Sequence, residues 1–133
     1  MPSTHQAAGE FDVTVTPQPA SSPTPGAQLG RMLLDKRYHG ELEASAMGQM
    51  LSAGTATQGS AGYVAIEMVT GQLQGRSGSF VLQHHGLMDR GARQLVIVVV
   101  PDSGTGQLAG LAGRMDIRIT EGKHFYSIDF TLP

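Results

Sequence analysis

Residues 75–113 read GRSGSFVLQHHGLMDRGARQLVIVVVPDSGTGQLAGLAG. Two apolar runs, Phe80–Leu82 and Leu95–Val100, stand between clusters of glycine and serine, which is the pattern of strands punctuated by tight turns. Successive side chains of a strand point to opposite faces, so Phe80, Leu82 and His84 share one face and Ser79, Val81 and Gln83 the other. In the second run Leu95, Ile97 and Val99 oppose Val96, Val98 and Val100; both faces are apolar and both need cover. A hairpin turn over Met88–Ala92 joins the two. Pro101, which has no N–H for a ladder, ends the second.

The same alternation extends outward. Upstream, Gly59–Gly62 is a turn, and in YVAIEMVTG (63–71) Val64, Ile66 and Met68 line one face while Tyr63, Ala65, Glu67 and Val69 line the other. Arg76–Gly78 reads as the turn that follows. Downstream, Met115, Ile117 and Ile119 alternate with Asp116, Arg118 and Thr120; Glu121-Gly122-Lys123 turns the chain into a strand whose face is Tyr126, Ile128 and Phe130. Near the N-terminus Phe11, Val13 and Val15 alternate with Asp12, Thr14 and Thr16. Residues 17–28, PQPASSPTPGAQ, hold four prolines in twelve positions and read as an extended surface loop rather than a proline-recognition ligand. Leu29–Ala53 admits two readings: Leu42, Ala46 and Met50 fit a helical stripe, whereas Leu42, Ala44 and Ala46 against Glu41, Glu43 and Ser45 fit a strand. Gly40 and Gly48 interrupt any helix long enough to be stable, so two strands are expected, Leu29–His39 and Glu41–Leu51. Eight antiparallel strands joined in sequence, with no helix to cover an open sheet, predict an all-β fold closed into an up-and-down barrel, because closure removes exposed edges.

A chain of 133 residues makes one domain with one core. Its formal net charge is −2 and its basic residues are scattered, so the patch a nucleic-acid binder needs is missing. With no cysteine, disulfides, thiolate zinc sites and a cysteine nucleophile are excluded, and the cytoplasm is the expected compartment. MPSTHQAAGEF lacks the basic and apolar regions of a signal peptide, and the longest apolar run, Leu95–Val100, falls far short of the roughly 20 residues of a membrane helix. No membrane association is expected.

The stretches GYVAIEMVTGQLQGRSGSFVLQHHG (62–86) and VVVPDSGTGQLAGLAGRMDI (98–117) resemble a bacterial family known only as a domain of unknown function, with an allene-oxide-cyclase-like barrel. GRSGSFVLQH and PDSGTGQLAGLAG are the most specific pieces, and the likeness extends over nearly the whole chain after residue 10. The resemblance implies a closed eight-stranded barrel. SGTGQLAGLAG is similar to the glycine-rich turn of plant cyclases and dirigent proteins, which turn over or orient apolar small molecules inside the barrel without a cofactor. Their catalytic residues have no matching positions here, so the resemblance carries the fold and not the activity.

Gly104–Gly110 has the wrong last spacing for a dinucleotide loop and no GK[ST] follows any glycine loop; these glycines read as a compact corner with positive φ. Ser77 and Ser103 lie outside GxSxG and read as turn serines. His84 and His85, as strand neighbours, point to opposite faces and cannot close on one ion, and His5, His39 and His124 have no ligand spacing to them, so neither metal nor cofactor is expected. His84 follows Phe80 and Leu82 on the inward face, as a satisfied core histidine or as a ligand contact. Glu67, between Ala65 and Val69, is either solvent-facing or a buried carboxylate with a raised pKa. With Tyr63, Tyr126 and the ring of Phe80 these form a set that could orient a carbonyl or acid group in an apolar barrel. Two functions follow: a barrel holding a small apolar ligand, with cofactor-free isomerase or cyclase chemistry through Glu67 or His84, or a filled, non-catalytic barrel that self-associates. The uncovered outer face of Val96, Val98 and Val100 predicts a homo-oligomer, most simply a two-fold dimer.

Overall fold

The computed structural model describes residues 3–19 and 28–133. Eight strands follow one another: β1 Ser3–Gln18, β2 Gln28–Gly40, β3 Leu42–Gly54, β4 Ala61–Leu73, β5 Arg76–Asp89, β6 Ala92–Val99, β7 Ala112–Thr120 and β8 Lys123–Leu132. Each pairs antiparallel with its neighbours in sequence, and β1 pairs with β8, so the sheet closes into the expected up-and-down barrel. The helical reading of residues 42–50 loses because β3 is bonded along its length on both sides, to β2 and to β4.

Three connections are two-residue loops with positive φ at both positions: Gln74-Gly75, Arg90-Gly91 and Glu121-Gly122. That geometry matches the right-handed twist of the flanking strands, and glycine carries the second left-handed position without strain. The turn expected at Arg76–Gly78 therefore sits two residues earlier, and Arg76, Ser77 and Gly78 belong to β5. At the other end of β1, Pro17 and Gln18 pair with Met32 and Arg31, and Gln28 already opens β2, so the proline-rich loop expected over 17–28 is shorter at both ends; residues 20–27 lie outside the described residues. The strand expected from Phe11 begins at Ser3, because Ser3–Phe11 pairs with β8 while Gly9–Gln18 pairs with β2.

Beyond Val99 the chain leaves the ladder, and β6 meets β7 only through Ile97↔Met115 and Val98↔Arg114. Residues 100–111, with a 3₁₀ turn at Gly106–Leu108, run along β5 instead: Val100 N–H donates to Val81 O, Thr105 N–H to Ser79 O, and Ser77 N–H to the Gln107 side chain. Ser103 Oγ accepts from Val81 N–H, so it holds the corner, whereas Ser77 is a strand residue rather than a turn serine. Gly106 and Gly110 take positive φ, as expected of a compact corner, whereas Gly104 does not and is instead a close approach to the Leu108 carbonyl. This segment drops Leu108 and Leu111 into one end of the barrel, where they pack with Leu42, Leu73, Phe80 and Phe130 in the core. One half of the barrel is thereby filled by its own side chains.

On the outer surface Val96, Val98 and Val100 are half-buried. More exposed apolar side chains lie elsewhere, among them Met47 and Leu51 of β3 and Val64, Ile66 and Met68 of β4, each half or more exposed.

Candidate functional site

Along β4 the inward positions are Tyr63, Ala65, Glu67 and Val69, and Glu67 is fully buried inside the barrel. Its three partners come from two strands. His84 on β5 stands opposite Ala65, one diagonal step from Glu67, and its Nε2 lies 2.8 Å from Glu67 Oε2. Lys36 and Tyr38 are on β2, two strands away, and must cross the inner face of β3 to reach it. They can because that face is nearly bare there: Ala44, Ala46 and Gly48 are the inward residues, with Lys36 opposite Ala46 and Gly48 opposite Glu67. Lys36 Nζ donates to Glu67 Oε2 at 2.7 Å, and Tyr38 Oη donates to Glu67 Oε1. Gly48 is a close approach in its own right, since a Cβ there would stand 2.8 Å from Glu67 Cβ.

Burial alone pushes the Glu67 carboxyl up, but the His84 hydrogen bond and the Lys36 charge outweigh it and hold the group at about 2. Glu67 is therefore a buried, ionised acceptor of three hydrogen bonds, neither the solvent-facing group nor the raised-pKa acid that the sequence allowed. Burial, and then the Glu67 charge, push the Tyr38 phenol well above its ordinary range, so it stays a donor. Because a carboxylate cannot donate, the proton between His84 and Glu67 belongs to His84 Nε2. Lys36 Nζ also lies over the rings of Phe11 and Tyr38, 5.2 and 5.8 Å from their centroids.

Above this cluster the barrel is hollow. A cavity of about 740 Å³ opens toward the β3–β4 and β5–β6 loops, walled by residues such as Phe11, Val13, Leu34, Met50, Leu95 and Ile117, with Lys36 and His84 at its inner end. Among the described residues its titratable lining is Lys36, His84, Arg93, His124 and Tyr63, with no aspartate or glutamate. Tyr63 sits on the wall with its ring over Gly86, where a Cβ would meet it at 2.5 Å, and 6.4 Å from the His84 ring. No cluster of three histidine, aspartate or glutamate side chains suited to an ion occurs among the described residues.

Of the five residues singled out from the sequence, His84 and Glu67 are bonded to each other and Tyr63 stands beside them. Phe80 and Tyr126 do not line the cavity. Both face inward but belong to the filled half, where Tyr126 Oη accepts from Leu42 N–H and donates to His39 O, tying β8 to the β2–β3 connection. Lys36 and Tyr38 were missed. Their signal was the alternation of Leu34, Lys36 and Tyr38 against Asp35, Arg37 and His39: the second face is the more polar, which sends Lys36 inward.

The family model for proteins of unknown function designated DUF3224 matches residues 7–130. The crystal structure at 1.84 Å of a protein of unknown function from that family, from Shewanella oneidensis MR-1, superposes with a TM-score of 0.93. Its sequence is 53% identical, and the alignment covers 98% of this chain and 100% of that one. No curated protein matches.

Proposed function

We propose, starting from a chain that belongs to the DUF3224 family and so takes no activity from its relatives' names, that the open half of the barrel binds a small apolar molecule whose polar end meets Lys36 and His84. The observation that carries this is the pairing of a cavity of about 740 Å³ with a buried, fully hydrogen-bonded polar cluster at its inner end. Binding sites for small molecules span roughly 300–1,000 Å³ and combine apolar walls with a few placed polar groups. A scaffold needing only stability would gain by filling this half with side chains, as the other half is filled. Thermal-shift measurements with terpenoid and alicyclic compounds test the reading. Stabilisation is expected with the parent protein and not with Ser52→Trp, which puts an indole into the cavity from the inward face of β3. Compounds that stabilise both proteins equally bind elsewhere and contradict it.

A separate observation favours self-association as a second property of the same molecule. Met47, Gln49 and Leu51 pair across the outer face with Met68, Ile66 and Val64, forming a contiguous patch without a charge. Exposed apolar surface of that kind marks an interface, and a second copy of this chain offers an identical uncharged face.

A further inference from the structure

We propose, resting on the reading above, that the cavity's ligand is an enolisable carbonyl compound and that His84 Nδ1 moves a proton on it while Lys36 Nζ donates to its oxygen. Glu67 Oε2 accepts from His84 Nε2–H, so in the neutral tautomer that makes this bond the ring lone pair is on Nδ1. No group among the described residues bonds Nδ1, and none of their buried side-chain nitrogen or oxygen atoms lacks a partner, so Nδ1 is not sealed in the core, and His84 lines the cavity. A carboxylate that orients a histidine whose other nitrogen faces a pocket is the arrangement of a positioned general base. Lys36 is bound to the same carboxylate oxygen, 2.7 Å from it against 2.8 Å for His84, so ammonium and imidazole sit side by side, and Lys36 has two N–H groups left after its bond to Glu67.

Charge selects the ligand's polar group. Lys36 and Glu67 already compensate each other, so a carboxylate at the inner end would add an unbalanced buried charge and an amine would meet Lys36 head on. A neutral carbonyl accepts from Lys36 without either penalty. The step balances within the site. His84 Nδ1 takes the proton from the carbon beside the carbonyl, the C–H electron pair becomes the carbon–carbon π bond, and the carbonyl π pair moves to oxygen against Lys36. Return of the proton, to the same carbon or to the far end of a conjugated system, restores the carbonyl and neutral His84. Glu67 is the positioning residue.

Menthone in D2O is the probe, with fenchone, a ketone of similar bulk that has no enolisable proton, as the blocker. Deuterium is expected to enter the carbons beside the menthone carbonyl about 10²-fold or more faster than in buffer, with menthone interconverting with its epimer. Fenchone should abolish the acceleration. His84→Gln, which keeps an N–H for Glu67, should bind menthone and lose the exchange; if that variant does not fold, fenchone blockade of the parent protein decides. Menthone that binds but exchanges no faster than in buffer, or exchange that persists under fenchone or in His84→Gln, overturns the proton-transfer inference and leaves the ligand reading standing. Failure of menthone, fenchone and alicyclic hydrocarbons alike to bind overturns the ligand reading itself.

Discussion

Glu67 is where burial, charge and hydrogen bonding meet. Its folded pKa of about 2 lies below the ordinary 4.5, so unfolding takes up a proton as the pH falls between those values. The stability contributed by the His84 hydrogen bond and the Lys36 charge is present in full above about pH 4.5 and lost progressively toward pH 2, an amount on the order of 3 kcal/mol. Urea unfolding followed from pH 7 to pH 2.5 should show that loss in the parent protein and not in Glu67→Gln. At pH 7 the substitution leaves Lys36 buried without its counter-ion, and a loss of about 3–5 kcal/mol is expected. Replacing both partners, Lys36→Met with Glu67→Gln, should recover part of it, because no charge is then stranded. A single variant as stable as the parent would mean that Lys36 finds water in the cavity. At this scale the sequence was half legible. His84 and Glu67 stood out as titratable groups among apolar neighbours, whereas Lys36 hid in a charged run, DKR, where only the face it shares with Leu34 and Tyr38 separates it from its neighbours.

The strands were legible wherever one face is apolar and the other wet, as in β1 after Phe11, β7 and β8, because burial imposes a period of two. They were illegible where tertiary pairing alone makes them: STHQAAGE has no alternation and becomes strand by bonding to β8. The small residues of β3 fit a helical stripe as well as the expected strand, yet their work is clearance, letting Lys36 and Tyr38 pass over the strand to Glu67. Gly48 is the tightest point of that passage. Gly48→Val should destabilise the protein by about 1–3 kcal/mol through overpacking against Glu67 and the β4 backbone, and should shift the His84 ring resonances. Ser45→Val on the outward face of the same strand should do neither, which separates clearance from β-propensity. Equal effects of the two substitutions would remove the account given for the bare face of β3.

Closure of the barrel followed from strand count and the lack of a covering helix, but the division into a filled and a hollow half did not. It depends on how far each strand is displaced along the barrel axis and on where residues 100–111 fold back, which places Phe80 and Tyr126 at one end and Tyr63 and His84 at the other. The same holds for the outer surface: alternation pointed to β6, while the exposed uncharged patch is on β3 and β4. Sedimentation equilibrium at micromolar protein is expected to give a dimer, and Met68→Lys a monomer; a dimer unaffected by that charge would move the interface away from β3–β4. The measurement that bears most directly on ligand binding is a titration of the isotope-labelled protein with menthone, followed by backbone amide and histidine ring resonances. Shifts that saturate together at Leu34, Lys36, Tyr63 and His84, with Leu73, Leu108 and Phe130 unmoved, are the predicted result. Shifts confined to Met47, Ile66 and Met68 on the outer face, or spread without saturation, would contradict it.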